Sequence, residues 1–409
     1  MRIQATLPDG RQLTLQDGLL DAARAALDAL GAATPVRLAY AAAHLVLRPE
    51  YRHSGHSLQR PGAAAEIAAA VDWDASMALR QRLDRLGFGV AEAMDTAQRF
   101  AIGWDTAARL ITECGRQPLA HGFVAGAGVD HLPRIRGRAD LVDGAVHQVR
   151  FIQDAGGIPI LLPLAWLAQQ RCDAAAYVDV YGSILRQVQG PLFVHWLGAM
   201  FHPALLDYFP GDSFSRVLAL DPGKVRGAKL SLLDAAMELR LRRELLARDQ
   251  VLLTGDDLHF LRLLRGGDPA EPDADAAPVQ RWTWIGGRRV ALGDFSHALL
   301  GVFDAVAAPA SLALRFLAHG ATSRYRELME PCEALGRVLF EPPTQHYKAG
   351  LAFLCWLNGE QDNFLLVNRE DQARDREHFL RLAILAAAAG VFQDAALARA
   401  RLQDFLACD

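Results

Sequence analysis

The run Val225-Arg226-Gly227-Ala228-Lys229-Leu230-Ser231-Leu232-Leu233-Asp234, followed through to Val251-Leu252-Leu253-Thr254-Gly255-Asp256-Asp257, decides the fold. Its first part, 224–229, is a short apolar stretch of strand length. Residues 231–246 then repeat apolar side chains with helical periodicity, and 250–254 is a second apolar stretch that stops at a polar, glycine-bearing turn. Strand, amphipathic helix, strand in that order is a crossover unit, which pairs its two strands in parallel.

The same beat extends in both directions. Apolar runs at 36–44, 89–94, 122–127, 158–163, 191–196, 224–229, 250–254 and 290–295 read as strands, and segments such as 75–86, 104–114 and 174–189 read as helices between them. Eight units within residues 35–310 predict an α/β fold, a closed (β/α)8 TIM barrel, rather than an open doubly wound sheet. Residues 1–34 read as an N-terminal hairpin around Pro8-Asp9-Gly10 and a lead-in helix. Residues 266–289 read as a surface excursion closing in a hairpin at Gly286-Gly287, and residues 311–409 as a helical C-terminal extension.

Composition removes several classes of function. The chain has 409 residues, 51% apolar and 22% charged, with a formal net charge of −4, so it offers neither nucleic acid nor an anionic membrane an electrostatic footprint. No apolar leader opens the sequence and no run is long enough to span a bilayer, which sets a cytoplasmic location as the expectation. Five cysteines lack any CxxC spacing, and neither structural zinc nor a disulfide framework is expected. No strand is followed by GxGxxG or a P-loop, so no nucleotide cofactor is called for.

Lysine occurs only at Lys224, Lys229 and Lys348 in a chain with 43 lysine and arginine residues. Where arginine serves almost every need for a cation, a lysine retained inside a buried strand suggests an amine that must lose its proton, and a desolvated ε-amine then attacks carbonyls. Reacting groups of such barrels sit where strands end. That filter returns His44, Glu92, Asp95, Thr96, His195, Lys229, Asp256 and Asp257, together with Asp294, Ser296 and His297.

The order of these motifs resembles the dihydrodipicolinate synthase and N-acetylneuraminate lyase superfamily. Val225 to Asp234 is similar to that family's sixth strand, whose lysine forms a Schiff base. Thr254-Gly255-Asp256-Asp257 resembles its seventh-strand Gly-Asp-Asp turn, and Tyr347-Lys348-Ala349-Gly350 resembles a Lys-Ala segment of its C-terminal helices. The resemblance covers residues 190–360 and implies Lys229 as the imine-forming nucleophile. The first half departs from the pattern. Where the family has Gly-Thr-Thr-Gly-Glu for a substrate carboxylate, this chain has Glu92-Ala93-Met94-Asp95-Thr96-Ala97-Gln98-Arg99, in which Asp95 repels a carboxylate unless Arg99 compensates. Where the family has Tyr-Asn-x-Pro, this chain has His195-Trp196-Leu197-Gly198, and an imidazole takes over the proton transfers.

The resulting expectation is a Schiff-base aldolase, lyase or dehydratase acting on a small carbonyl compound, either sugar- or polyol-derived or a 2-oxo acid. Lys229 and His195 act in catalysis, while His44, Glu92, Asp95, Thr96, Asp256 and Asp257 bind substrate. The resemblance also implies a dimer or tetramer. Two other readings stay open: a metal-dependent isomerase or class II aldolase that holds its ion with His44, His195 and Glu92 or Asp95, and a barrel that binds a metabolite without catalysis.

Overall fold

The computed structural model describes all residues except 1, 8, 9, 11, 272, 408 and 409. The hairpin β1 (Arg2–Thr6) and β2 (Gln12–Gln16) is antiparallel, and the Pro8-Asp9 half of its expected turn lies outside the described residues. Eight strands form a closed parallel ring: β3 (Ala39–Ala42), β4 (Gly89–Glu92), β5 (Phe123–Ala127), β6 (Ile158–Leu161), β7 (Leu192–Leu197), β8 (Val225–Ser231), β9 (Val251–Thr254) and, beyond a second hairpin, β12 (His297–Leu300). The hairpin consists of β10 (Arg281–Ile285) and β11 (Arg288–Leu292). With helices between the strands, this is a (β/α)8 TIM barrel.

By internal contacts the chain divides into two compact units, 1–35 with 43–88 and 302–409, and 36–42 with 89–301. The second contains the whole strand ring. The first contains the β1–β2 hairpin and the helical C-terminal part, including helices Phe303–Ala318, Thr322–Leu339, Tyr347–Leu357, Arg376–Ala388 and Ala395–Ala407. Among the described residues, no helix is long and apolar enough to cross a membrane.

Barrel strands are buried on both faces, which explains why they read as continuous apolar runs rather than alternating ones. Tyr40, Ala91, Val124, Ile160, Phe193, Leu253 and Leu299 share one interior cluster. The period of two along each strand puts His195 and Lys229 on the same inward face, since the parallel register pairs His195 with Lys229 and Lys229 with Leu253.

The last strand differs from expectation. Residues 290–295 are not the eighth barrel strand; His297–Leu300 is. Val290 and Leu292 belong to β11, and with Ile285 of β10 they join the interior cluster, so the hairpin plugs the barrel floor with the apolar pattern a barrel strand would show. Its turn is Gly286-Gly287, with φ of 55° and 76°, the left-handed pair that a two-residue hairpin requires. His297 stitches this floor together: its Nδ1 accepts from the Leu38 N–H at 2.8 Å and its Nε2 donates to the Ala291 carbonyl at 3.0 Å. Burial and the Arg37 charge push its pKa down to about 3, so the ring stays neutral. Asp294 is paired with Arg242 and Arg243.

Truncating the plug leaves a cavity that the surrounding strands cannot fill. Leu292→Ala is expected to cost about 2–4 kcal/mol, read as a lower midpoint in guanidinium unfolding.

Candidate active site

Strand β8 carries Gly227, Lys229 and Ser231 toward the interior, at the end where the parallel strands finish. Lys229 keeps partial exposure while protein surrounds it, the condition of a side chain lining an internal hollow. Burial pulls its pKa down to about 8, against the opposing pull of the Asp257 and Asp95 carboxylates. The amine is therefore still mostly protonated at pH 7, but far more of it is uncharged than in a solvated lysine.

Gly255 makes room for it. A Cβ at this position would lie 2.2 Å from Ser231 Oγ, 3.0 Å from the Leu230 carbonyl and 3.1 Å from Lys229 Cε. The glycine of the Gly255-Asp256-Asp257 turn is thus needed for close approach to the lysine stem. The two aspartates after it divide their work. Asp256 accepts from the N–H groups of Leu258 and His259 and from His259 Nδ1, ordering the turn, whereas Asp257, also buried, acts electrostatically on Lys229.

His195 is fully enclosed, and burial together with the Lys229 charge holds its pKa well below the usual histidine value. The neutral ring has Nε2 3.2 Å from Ser231 Oγ, while Nδ1 is buried without a hydrogen-bond partner among the described residues. Imidazole, hydroxyl and amine therefore line adjacent inward positions of β7 and β8. A hydroxyl bridging a neutral imidazole to the strand of a reactive amine can pass protons in either direction.

The β4 end contributes less uniformly. Thr96 is buried and Asp95 partly exposed in the short 3-10 turn Asp95–Ala97. Glu92 has the opposite strand parity to the interior residue Ala91, and its carboxylate accepts from the Ala93 N–H at 2.7 Å. Arg99 does not serve as the partner expected for Asp95. It is committed to Asp130 by two hydrogen bonds of 2.8 and 2.9 Å and to Gln148 at 2.8 Å. Burial opposes ionisation of Asp130, but these contacts outweigh it and hold its pKa below the ordinary value.

His44 lies in the other compact unit and is built into a different constellation. Its ring is fully buried, with Nδ1 2.5 Å from Asp304 Oδ2 and Nε2 2.7 Å from Gln361 Oε1. The metal set expected with His195 and Glu92 or Asp95 is not gathered. Among the described residues, the group close enough to hold an ion is His44, Asp304 and Cys355.

Two supporting groups escaped the sequence reading. Ser231 was hidden because the strand was expected to stop at Lys229, although the period of two marks it as the next inward residue. Glu238, on helix Ala235–Leu246, accepts from Ser296 Oγ at 2.6 Å and from Thr254 Oγ1 at 2.9 Å. Burial, assisted by the Asp256 charge, pushes its pKa up to about 8. No periodicity distinguishes this buried acid from a solvated helical glutamate.

The ring of eight parallel strands, with Lys229 on the sixth, is a fold that this chain shares with solved structures of dihydrodipicolinate synthase and N-acetylneuraminate lyase. The chain belongs to the family described as "Protein of unknown function (DUF993)", whose model matches residues 7–409. Among solved structures, a dihydrodipicolinate synthase family protein from Coccidioides immitis aligns over 90% of this chain and 98% of its own, at 12% identity and a TM-score of 0.57. N-acetylneuraminate lyase from Fusobacterium nucleatum, in complex with pyruvate, aligns over 86% and 97% at 12% identity and 0.55. Dihydrodipicolinate synthase from Acinetobacter baumannii, also with pyruvate, aligns over 87% and 100% at 14% identity and 0.54. No curated protein matches in sequence.

Two outcomes follow from the charges. Asp257→Asn removes a carboxylate that favours the ammonium form, so the pH inflection of Lys229 reactivity toward a carbonyl reagent is expected to fall below about 8. Glu238 has a folded pKa above its unfolded value of 4.5. Its contribution is full below that value and is lost as pH rises through about 8. Melting temperatures of Glu238→Gln are expected to fall less than wild type across that interval.

Proposed function

We propose that this protein is a class I aldolase-like lyase or dehydratase in which Lys229 forms an imine with a small carbonyl substrate. One observation carries the reading: an inward-facing lysine at the finishing end of a barrel strand, with its pKa drawn down to about 8 by burial. An amine in that state is both nucleophilic and able to give a protonated imine, which draws electrons from an adjacent bond.

The proposed sequence conserves atoms and charge. Lys229 Nζ adds to the substrate carbonyl carbon, and loss of water leaves the iminium. Cleavage of the neighbouring C–C bond delivers an electron pair to the iminium nitrogen and gives an enamine; in a dehydratase, loss of an α-proton gives the enamine, which then expels the β-hydroxyl, protonated to water, and becomes an α,β-unsaturated iminium. His195, neutral and joined to Ser231, takes the substrate proton released in that step and returns it to the enamine carbon after C–C cleavage, or to the departing hydroxyl in a dehydration. Hydrolysis of the regenerated imine frees Lys229.

The charges argue for the substrate class. Asp95 and Asp257 surround the amine with negative potential, and Arg99 is engaged with Asp130. A 2-oxo acid would bring a third negative charge to a site with no counterpart of the Gly-Thr-Thr-Gly-Glu anion cradle. Hydroxyl groups, by contrast, donate readily to carboxylates. A sugar- or polyol-derived aldehyde or ketone is therefore the favoured substrate, with Asp95, Thr96 and Asp257 binding its hydroxyls and Asp256 and Glu92 holding the loops that present them.

Incubation with candidate keto sugars and borohydride is expected to add a reduced substrate mass at Lys229. Lys229→Ala is expected to abolish the adduct and to lower kcat by a factor of at least about 10³. An adduct at another residue, or turnover undiminished in Lys229→Ala, defeats the reading.

A further inference from the structure

We propose that His44, Asp304 and Cys355 form a binding site for a thiolate-seeking divalent metal ion of the zinc or cobalt(II) class, separate from the Lys229 chemistry. The three residues come from distant parts of the sequence into one compact unit. Asp304 lies in the first turn of helix Phe303–Ala318 and Cys355 on helix Tyr347–Leu357. Their exposures are 0%, 0% and 1%. One imidazole nitrogen, one carboxylate oxygen and the thiol sulfur all lie within 4.8 Å of one another. Tetrahedral zinc bonds of about 2.0–2.3 Å set ligand atoms about 3.3–3.8 Å apart, so closing on an ion requires the His44 Nδ1 and Asp304 Oδ2 pair, now 2.5 Å apart, to open.

Hydrogen bonding around the imidazole shows that a positive charge belongs there. Gln361 Nε2 donates to the Ala352 carbonyl at 3.0 Å, which turns Gln361 Oε1 toward His44 Nε2 at 2.7 Å. An amide oxygen only accepts, so Nε2 carries the ring hydrogen. In a neutral imidazole Nδ1 is then a bare lone pair, yet it faces a carboxylate oxygen at 2.5 Å. Two acceptors at that distance share a second ring proton, and a metal ion at Nδ1 would take that proton's place and move the carboxylate oxygen outward. An imidazole that ligates through one nitrogen and donates through the other to a fixed acceptor is the usual outer arrangement of a metal site.

Two further observations favour the metal. Asp304 Oδ1 is buried and accepts no hydrogen bond among the described residues, a loss that ring protonation does not repair and coordination does. The Cys355 thiol is 3.7 Å from the Asp304 carbonyl oxygen and in hydrogen-bonding relation to the Glu360 carboxylate, which provides an acceptor for its proton when the sulfur turns to an ion. Sulfur with nitrogen and a single carboxylate selects zinc or cobalt over magnesium or calcium, which prefer all-oxygen sites.

Protein produced in cobalt-supplemented medium tests this directly, because loading during folding avoids any barrier to entry. The wild type is expected to retain close to one equivalent of cobalt and to show thiolate-to-cobalt charge-transfer absorption with the strong visible bands of a tetrahedral ion. Cys355→Ser is expected to lose the charge-transfer absorption, and Asp304→Asn to retain at least tenfold less metal, while Lys229→Ala gives the wild-type spectrum. Failure of the variants to fold leaves the wild-type measurement decisive. A wild-type protein without bound cobalt or without thiolate absorption overturns the proposal, as does a charge-transfer band that survives in folded Cys355→Ser.

Discussion

The cost of enclosing an ammonium group governs the arrangement around β8. Desolvation disfavours the Lys229 proton; two carboxylates, Asp257 and Asp95, restore part of its preference for charge, and the balance falls at about 8. His195 is the complementary half of the same constraint. Sharing the enclosure with a potentially charged amine, it stays neutral and so remains able to accept a proton. A more polar hollow would leave the lysine an inert cation. A drier one, without the two carboxylates, would leave the positive charge of the proposed imine without support.

The scaffold meets that constraint with backbone as much as with side chains. Gly255 removes a Cβ that would collide with Ser231 and crowd the lysine stem, and Asp256 fixes the turn that delivers Asp257. Behind this turn Glu238 ties Thr254 of β9 to Ser296 just before β12. Being largely protonated near neutral pH, it adds little negative field to the hollow while its oxygens still organise two neighbouring hydroxyls. Position and charge are thereby adjusted by different residues.

The barrel was legible because strands buried on both faces form unbroken apolar runs, and seven of the eight were placed from that signal. The eighth was obscured by β11, whose Val290 and Leu292 enter the same interior from the floor and so imitate a wall strand. Lys229 and His195 stand out in the sequence by rarity and strand-end position, and the register sets them side by side on the inward face. Ser231 and Glu238 were missed, since their roles arise from proximity across strands and carry no mark in local composition. His44 shows the limit most clearly. It was noticed at the end of a run of alanines, but β3 stops at Ala42, and the groups that surround it, Asp304, Cys355 and Gln361, lie hundreds of residues away with no ligand-like spacing.

The β10–β11 hairpin has a further consequence. Ile285, Val290 and Leu292 close one end of the strand ring with apolar side chains. Under the proposed imine chemistry, reactant, water and both fragments of a cleaved molecule would then use the opposite end, and the fragment still tethered to Lys229 would be the last to leave.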